Sequence, residues 1–122
     1  MDELIGRLTA NCGVDQQVAE KSIGIILDFL HKEGPADKVQ ELIDKLPGGA
    51  ALAAQASEGQ SSGGMFSMGG IMGAANRLMS AGLSMGQVQC VTREVVAYAR
   101  DKAGEDTVGE VVGAIPGLGQ FV

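Results

Sequence analysis

The 122-residue sequence predicts an all-α fold of about six helices, arranged as two tandem three-helix units related by internal duplication. Three features predict it. Aromatic residues make up only 3% of a chain that is 45% hydrophobic, so the core must be assembled from Ala, Val, Ile, Leu and Met. Side chains of this kind suit closely packed helices better than a sheet. Apolar residues recur at the three- and four-residue spacing of a helix face, and no segment alternates convincingly at period two. One constant offset of 69 residues also lays the helix signals of the first half over those of the second.

Leu4, Ile5 and Leu8 set a short first helix that ends near Gly13. Asp15 then stands where a carboxylate can accept from free N–H groups in the first turn of a second helix. In that helix Gln17, Glu20, Lys21, Gly24, Asp28, His31 and Lys32 form one polar stripe. Val18, Ile23, Ile25, Ile26, Leu27, Phe29 and Leu30 cover the rest. So wide an apolar surface predicts a central helix with neighbours on several sides. Gly34 stops it and Pro35 starts a third helix. The buried stripe there is Val39, Leu42, Ile43 and Leu46, and Pro47-Gly48-Gly49 ends it. The Ala-rich run from Ala50 to Ala56 adds a helical turn or two, and residues 57–64 read as a polar, flexible linker.

The helical pattern resumes from Ile71 to Ser80 and stops at Gly82. Ser84 with Gln87 three positions later is a capping box. It opens a helix with Val88, Val91, Thr92, Val95, Val96 and Ala99 inward and Gly104 at its end. Asp106 is placed to cap a last helix carrying Val108, Val111, Val112 and Ile115, closed by Pro116-Gly117.

Under the offset of 69, Gly13 falls on Gly82, Asp15 on Ser84 and Phe29 on Tyr98. Asp37, Val39, Glu41, Pro47 and Gly48 fall on the identical residues Asp106, Val108, Glu110, Pro116 and Gly117, while Leu42, Ile43 and Leu46 fall on Val111, Val112 and Ile115. Caps, apolar stripes and Pro-Gly ends share one register. The organisation this predicts is a single helical domain over residues 1–122. Its first unit covers about 1–56, a Gly/Ser/Met-rich linker about 57–70, and its second unit about 71–122. A unit of roughly fifty residues buries too little surface alone. Two packed face to face about a pseudo-two-fold axis bury enough.

Two resemblances rest on particular residues. Leu-Thr-x-x-x-Gly-Val-Asp-x-x-x-Ala-Glu from Leu8 to Glu20, Leu46-Pro47-Gly48, the Gly-rich middle, Gly82-Leu83-Ser84 and Val95-Val96-x-Tyr98 follow one another along the chain. This series resembles the small bacterial proteins of unknown function termed VcgC/VcgE-like, which implies an all-helical fold and assigns no activity. Glu3-Leu4-Ile5, Gly13-Val14 and Ala19-Glu20-Lys21, followed by an aliphatic helix and Gly34, are similar to the amino-terminal helical hairpin of HU-type DNA-binding proteins. In that family the helices mainly build the dimer, while a basic β-ribbon and its arms grip DNA. No strand pair or Arg/Lys-rich arm follows here, so the likeness implies packing and no DNA function.

Fifteen acidic against nine basic residues give a net charge of −6, which sets the chain against a phosphate backbone, and no nucleic-acid partner is expected. The acidic start Met1-Asp2-Glu3-Leu4 is unlike a secretory signal. No stretch reaches the eighteen or so apolar residues of a membrane span. A cytoplasmic protein without a membrane span is therefore expected. Cys12, Cys90 and the single histidine share no ligand spacing, so neither a metal site nor a cofactor is predicted. Unpaired buried thiols, acting as small hydrophobes, are the expected state of the cysteines, with a Cys12–Cys90 disulfide as the other open reading. His31, near the carboxyl end of its helix, reads as a solvated residue suited to the macrodipole.

No acid, base or nucleophile has a partner at a recognisable spacing, so no catalytic residue and no enzyme activity is predicted. What remains is the run from Met65 to Met72. Methionine adapts to varied apolar surfaces, and the candidate contacts for a partner or ligand are Met65, Phe66, Met68, Ile71 and Met72. A polar, mobile part from Ser57 to Gly64 is expected to lead into this anchored part. The expected role is a non-enzymatic interaction or scaffold module capable of self-association. The alternative is a carrier of a small apolar ligand held between the two repeats.

Overall fold

Apolar spacing decides which face each helix turns inward, and the computed structural model follows it through six helices among the described residues. It describes residues 2–46, 48, 51, 70–115 and 119. The helices are α1 (Asp2–Cys12), α2 (Gln16–Glu33), α3 (Ala36–Lys45), α4 (Gly70–Ser80), α5 (Met85–Ala103) and α6 (Glu105–Ala114). Among the described residues there is no strand.

On α1 the residues Leu4, Ile5, Leu8 and Cys12 form one buried stripe. The helix gives way at Gly13, whose φ of 68° would strain a side chain, and α4 gives way in the same manner at Gly82, with φ 113°. α2 is buried without interruption from Ser22 to Leu30, as a central helix should be. Gly34 ends it, its N–H donating to the Leu30 carbonyl at 2.8 Å. A Cβ at this position would stand 2.8 Å from that same oxygen and 3.0 Å from Val39, so no larger residue fits. In α5 the capping box is complete: Ser84 Oγ accepts from the Gln87 N–H at 3.3 Å, and Gln87 Oε1 accepts from the Ser84 N–H at 2.9 Å. Two buried hydroxyls are satisfied on their own helices, Ser22 donating to Val18 O at 2.7 Å and Thr92 to Val88 O at 2.8 Å.

Three local expectations are corrected. Asp15 occupies the N-cap of α2, yet its exposed carboxylate accepts no capping bond, and the position contributes its carbonyl, which accepts from Ala19 N at 2.8 Å. Asp106 is not a cap. Gly104 joins α5 directly to α6 with φ 97°, so Glu105 and Asp106 both lie in the first turn, where their charges suit the positive helix end. The polar stripe of α2 is not solvated throughout: Gly24 and Asp28 are buried because α4 lies across that side.

α2 and α5 pack on each other at the centre. α1 rests on α5 and α2, and α4 rests on α2 and α5. The first helix of each half thus lies against the long helix of the other. α3 packs on α6, and both are carried by the central pair. One continuous buried core draws on all six helices, with Leu4, Leu8, Ile23, Leu27, Val39 and Val91 wholly excluded from solvent.

The offset seen in the sequence reappears in the helix boundaries. α2 and α5 start at Gln16 and Met85, and α3 and α6 at Ala36 and Glu105, each pair 69 residues apart. Two pairs related by this offset are buried alike, Ile26 with Val95 and Leu42 with Val111, each residue at most 2% exposed, whereas Gly24 is buried and Arg93 exposed. In the first helices the spacing is 70, with Leu4, Ile5 and Leu8 opposite Ala74, Ala75 and Leu78. Leu78 stands one residue nearer to Gly82 than Leu8 does to Gly13.

Candidate functional site

The carboxyl end of α1 and the first half of α5 are joined by several ties. The expectation of free thiols is overturned here: Cys12 and Cys90 form a disulfide with their Cα atoms 5.7 Å apart. Cys12 closes the buried stripe of α1, and α1 lies along α5, so the fold sets the two thiols face to face across 78 residues of chain. Local spacing carries no trace of such a pairing. Gln87 adds a second tie. Besides its part in the capping box, its Nε2 donates to the carbonyls of Cys12 at 3.2 Å and Gly13 at 3.4 Å. Two turns further along α5, Glu94 Oε1 accepts from Asn11 Nδ2 at 3.5 Å. Arg7 Nη2 lies 3.0 Å from Glu94 Oε2 but off the hydrogen-bonding direction, so charge attraction holds that contact.

The opposite seam, α4 on α2, has a related charge pair. Arg77 Nη1 donates to Asp28 Oδ2 at 3.0 Å. Arg7 and Arg77 are 70 residues apart, the spacing of the buried residues of α1 and α4. Both arginines therefore reach from a first helix to a carboxylate on the long helix of the other half. Neither pair was among the residues singled out from the sequence. The signal that could have found them is the matched pair of arginines, together with a lone carboxylate inside the apolar run Ile25 to Leu30.

Of the candidate contact residues, Met65, Phe66 and Met68 lie outside the described residues, as does the linker before them. Ile71 and Met72 belong to the first turn of α4, and their side chains lie outside the described set. At the other end of α4, Met79 is 44% exposed, and Met85, at the start of α5, is 51% exposed. These are the exposed large hydrophobic side chains among the described residues. A shallow cleft lined by Ile5, Gly6, Thr9 and Gln16 opens between α1 and the start of α2. It lies within the first half, not between the halves.

His31 is exposed at the end of α2. On the α3–α6 face, Lys38 Nζ lies 3.0 Å from Glu110 Oε2. The hydrogen bond to Glu110 and its charge hold the Lys38 ammonium above its ordinary lysine value. Among the described residues no three His, Cys, Asp or Glu side chains are grouped to hold a metal ion, and no helix is long and apolar enough to cross a membrane. No family model matches the chain, and neither a curated protein nor a solved structure matches it.

Proposed function

We propose that the chain is a non-enzymatic helical interaction module, built by tandem duplication of a three-helix unit, which associates with a second copy of itself through a methionine-bearing surface. The exposure of Met79 and Met85 carries this reading. Two flexible thioethers are about half exposed on either side of the α4–α5 turn, and such side chains adapt to a partner surface. The segment 65–72 runs into the same helix, two turns ahead of Met79.

Duplication is supported by the helix starts 69 residues apart, the matched burial, and the exchange by which α1 rests on α5 while α4 rests on α2. A relationship to the VcgC/VcgE-like proteins belongs to the same proposal. Its longest motif, Leu8 to Glu20, spans the end of α1, the Gly13 turn and the start of α2. The likeness to the HU-type hairpin enters as packing alone. The disulfide favours an oxidising compartment, and on that ground the cytoplasm is not retained in the proposal. The carrier of an apolar ligand draws no support from the cleft at Ile5, Gly6, Thr9 and Gln16, which is not between the halves.

Sedimentation velocity over a range of concentrations tests the reading. The native chain should sediment as a dimer at high concentration. The Met79→Ser/Met85→Ser variant should remain monomeric with unchanged helical content, and Phe66→Ser/Met68→Ser/Met72→Ser should weaken the dimer in the same way. A native chain that stays monomeric throughout refutes self-association. Lost thermal stability of the monomer in the triple variant would assign residues 65–72 to the core instead.

A further inference from the structure

The two seams between the halves are built unequally. Where α4 meets α2, the charge pair is sheltered and aligned, with the Asp28 side chain 6% and the Arg77 side chain 23% exposed. Where α1 meets α5, the corresponding side chains of Glu94 and Arg7 are 21% and 33% exposed, and the contact is not an aligned hydrogen bond. Glu94 Oε2 is shut away from water there without a hydrogen bond, so the second pair carries a desolvation cost that the first does not. The disulfide stands at the seam whose ion pair is the weaker of the two. The stronger seam has no counterpart: 69 residues before Cys90 the chain has the exposed Lys21, and Cys12 corresponds to the Ala81-Gly82 turn. A covalent bond therefore supplies at one seam what the buried ion pair supplies at the other.

α1 is also an element that needs such a bond. An isolated helix of its 11 residues is marginal in water. It hinges on the three-residue connection Gly13 to Asp15 and ends at the very residue that is cross-linked. Cys12 is sheltered at the core edge, while Cys90 is only half-buried, so Cys90 is the more exposed residue of the disulfide.

We infer that the Cys12–Cys90 disulfide is a redox latch on α1: closed, it fixes α1 along α5, and two-electron reduction frees α1 while the other five helices stay packed. The chemistry is thiol–disulfide exchange. A thiolate of a small dithiol attacks Cys90 Sγ, forms a mixed disulfide and expels the Cys12 thiolate. The second thiolate of the dithiol then displaces Cys90. The dithiol ends as its own disulfide, both cysteines take up protons as thiols, and two electrons have passed to the protein. A disulfide-bearing oxidant runs the same steps backwards and closes the latch. Opening uncovers Leu4, Ile5 and Leu8, which are buried in the closed form.

Hydrogen exchange on the full chain, with and without dithiothreitol, reads the latch helix by helix. Reduction should raise exchange in residues 4–12 at least tenfold and leave residues 74–80, α2 and α5 protected, with protection restored on reoxidation. The Cys12→Ser/Cys90→Ser variant should show the open pattern without reductant and no further response to it. Unchanged exchange in α1 on reducing the native chain would overturn the inference. So would an equal loss of protection in all six helices, which would make the disulfide a staple of the whole fold. Both readings use the reduced native chain, so they stand even where the variant fails to fold.

Discussion

Replacing Asp28 by Ala takes away the carboxylate that lies 3.0 Å from Arg77 and leaves the guanidinium at a seam where its side chain is only 23% exposed. Truncating one partner of a buried ion pair costs about 3–5 kcal/mol, because the remaining charge stays desolvated. Arg77 keeps some access to water and can turn its head outward, which places the expected loss near the lower end, about 3 kcal/mol. For a chain of this length that corresponds to a fall in Tm of roughly 12 °C, at ~2.1 cal/mol/K of unfolding entropy per residue. Urea unfolding followed by far-ultraviolet circular dichroism measures it. A double-mutant cycle supplies the internal control: Asp28→Leu/Arg77→Met removes both charges and keeps the volume, so it should be far milder than Asp28→Ala alone. The matching truncation at the other seam, Glu94→Ala, should cost only about 1 kcal/mol, since Glu94 Oε2 is buried without a hydrogen bond and its removal relieves that desolvation. If Asp28→Ala costs no more than Glu94→Ala, the unequal burial of the two pairs has no energetic meaning and the contrast between the seams falls.

Ile26→Ala and Val95→Ala probe equivalent positions on the two central helices. Ile26→Ala should cost about 2–5 kcal/mol and Val95→Ala a comparable though smaller amount, both read by chemical denaturation. A near-neutral result at either would break the equivalence of α2 and α5. Gly109 and Gly113 lie inside α6 with open space where a Cβ would stand. Each replacement by Ala should therefore stabilise the chain by about 1 kcal/mol, and a loss of stability would mean that the outer side of α6 is covered.

The parts of this fold that were legible in the sequence are those decided within a few turns of one helix. The capping box of Ser84 and Gln87 needs only two side chains three residues apart, and it forms as read. The stripe Val88, Val91, Thr92, Val95, Val96 and Ala99 needs only the helical period, and all six are buried. Gly13, Gly82 and Gly104 end helices because their positive φ is open to glycine and strained for other residues. Where two local solutions compete, the sequence decides less. Asp15 and Asp106 both look like caps, but the turn at each helix start is set by the chain entering it, and neither carboxylate caps.

The seams were not legible, and the reason is their range. Asp28 sits four residues after Gly24 on one line of α2, which taken alone is a solvated polar stripe. Only a second helix, 49 residues later in the chain and bringing Arg77, turns that line into a buried contact. Cys12 and Cys90 are separated by 78 residues and meet only because α1 crosses to the long helix of the other half. The two arginines 70 residues apart repeat with the first helices, but their carboxylates do not, since under the offset of 69 Asp28 falls on Ala97 and Glu94 on Ile25. A repeat whose first helices pack on their own halves would place those arginines against different helices. A repeat whose first helices exchange places brings each to a carboxylate on α2 or α5, and that is where Arg7 and Arg77 are found. Apolar stripes and the arginine spacing are alike in both arrangements, and it is the two carboxylates, Glu94 on α5 and Asp28 on α2, that distinguish them.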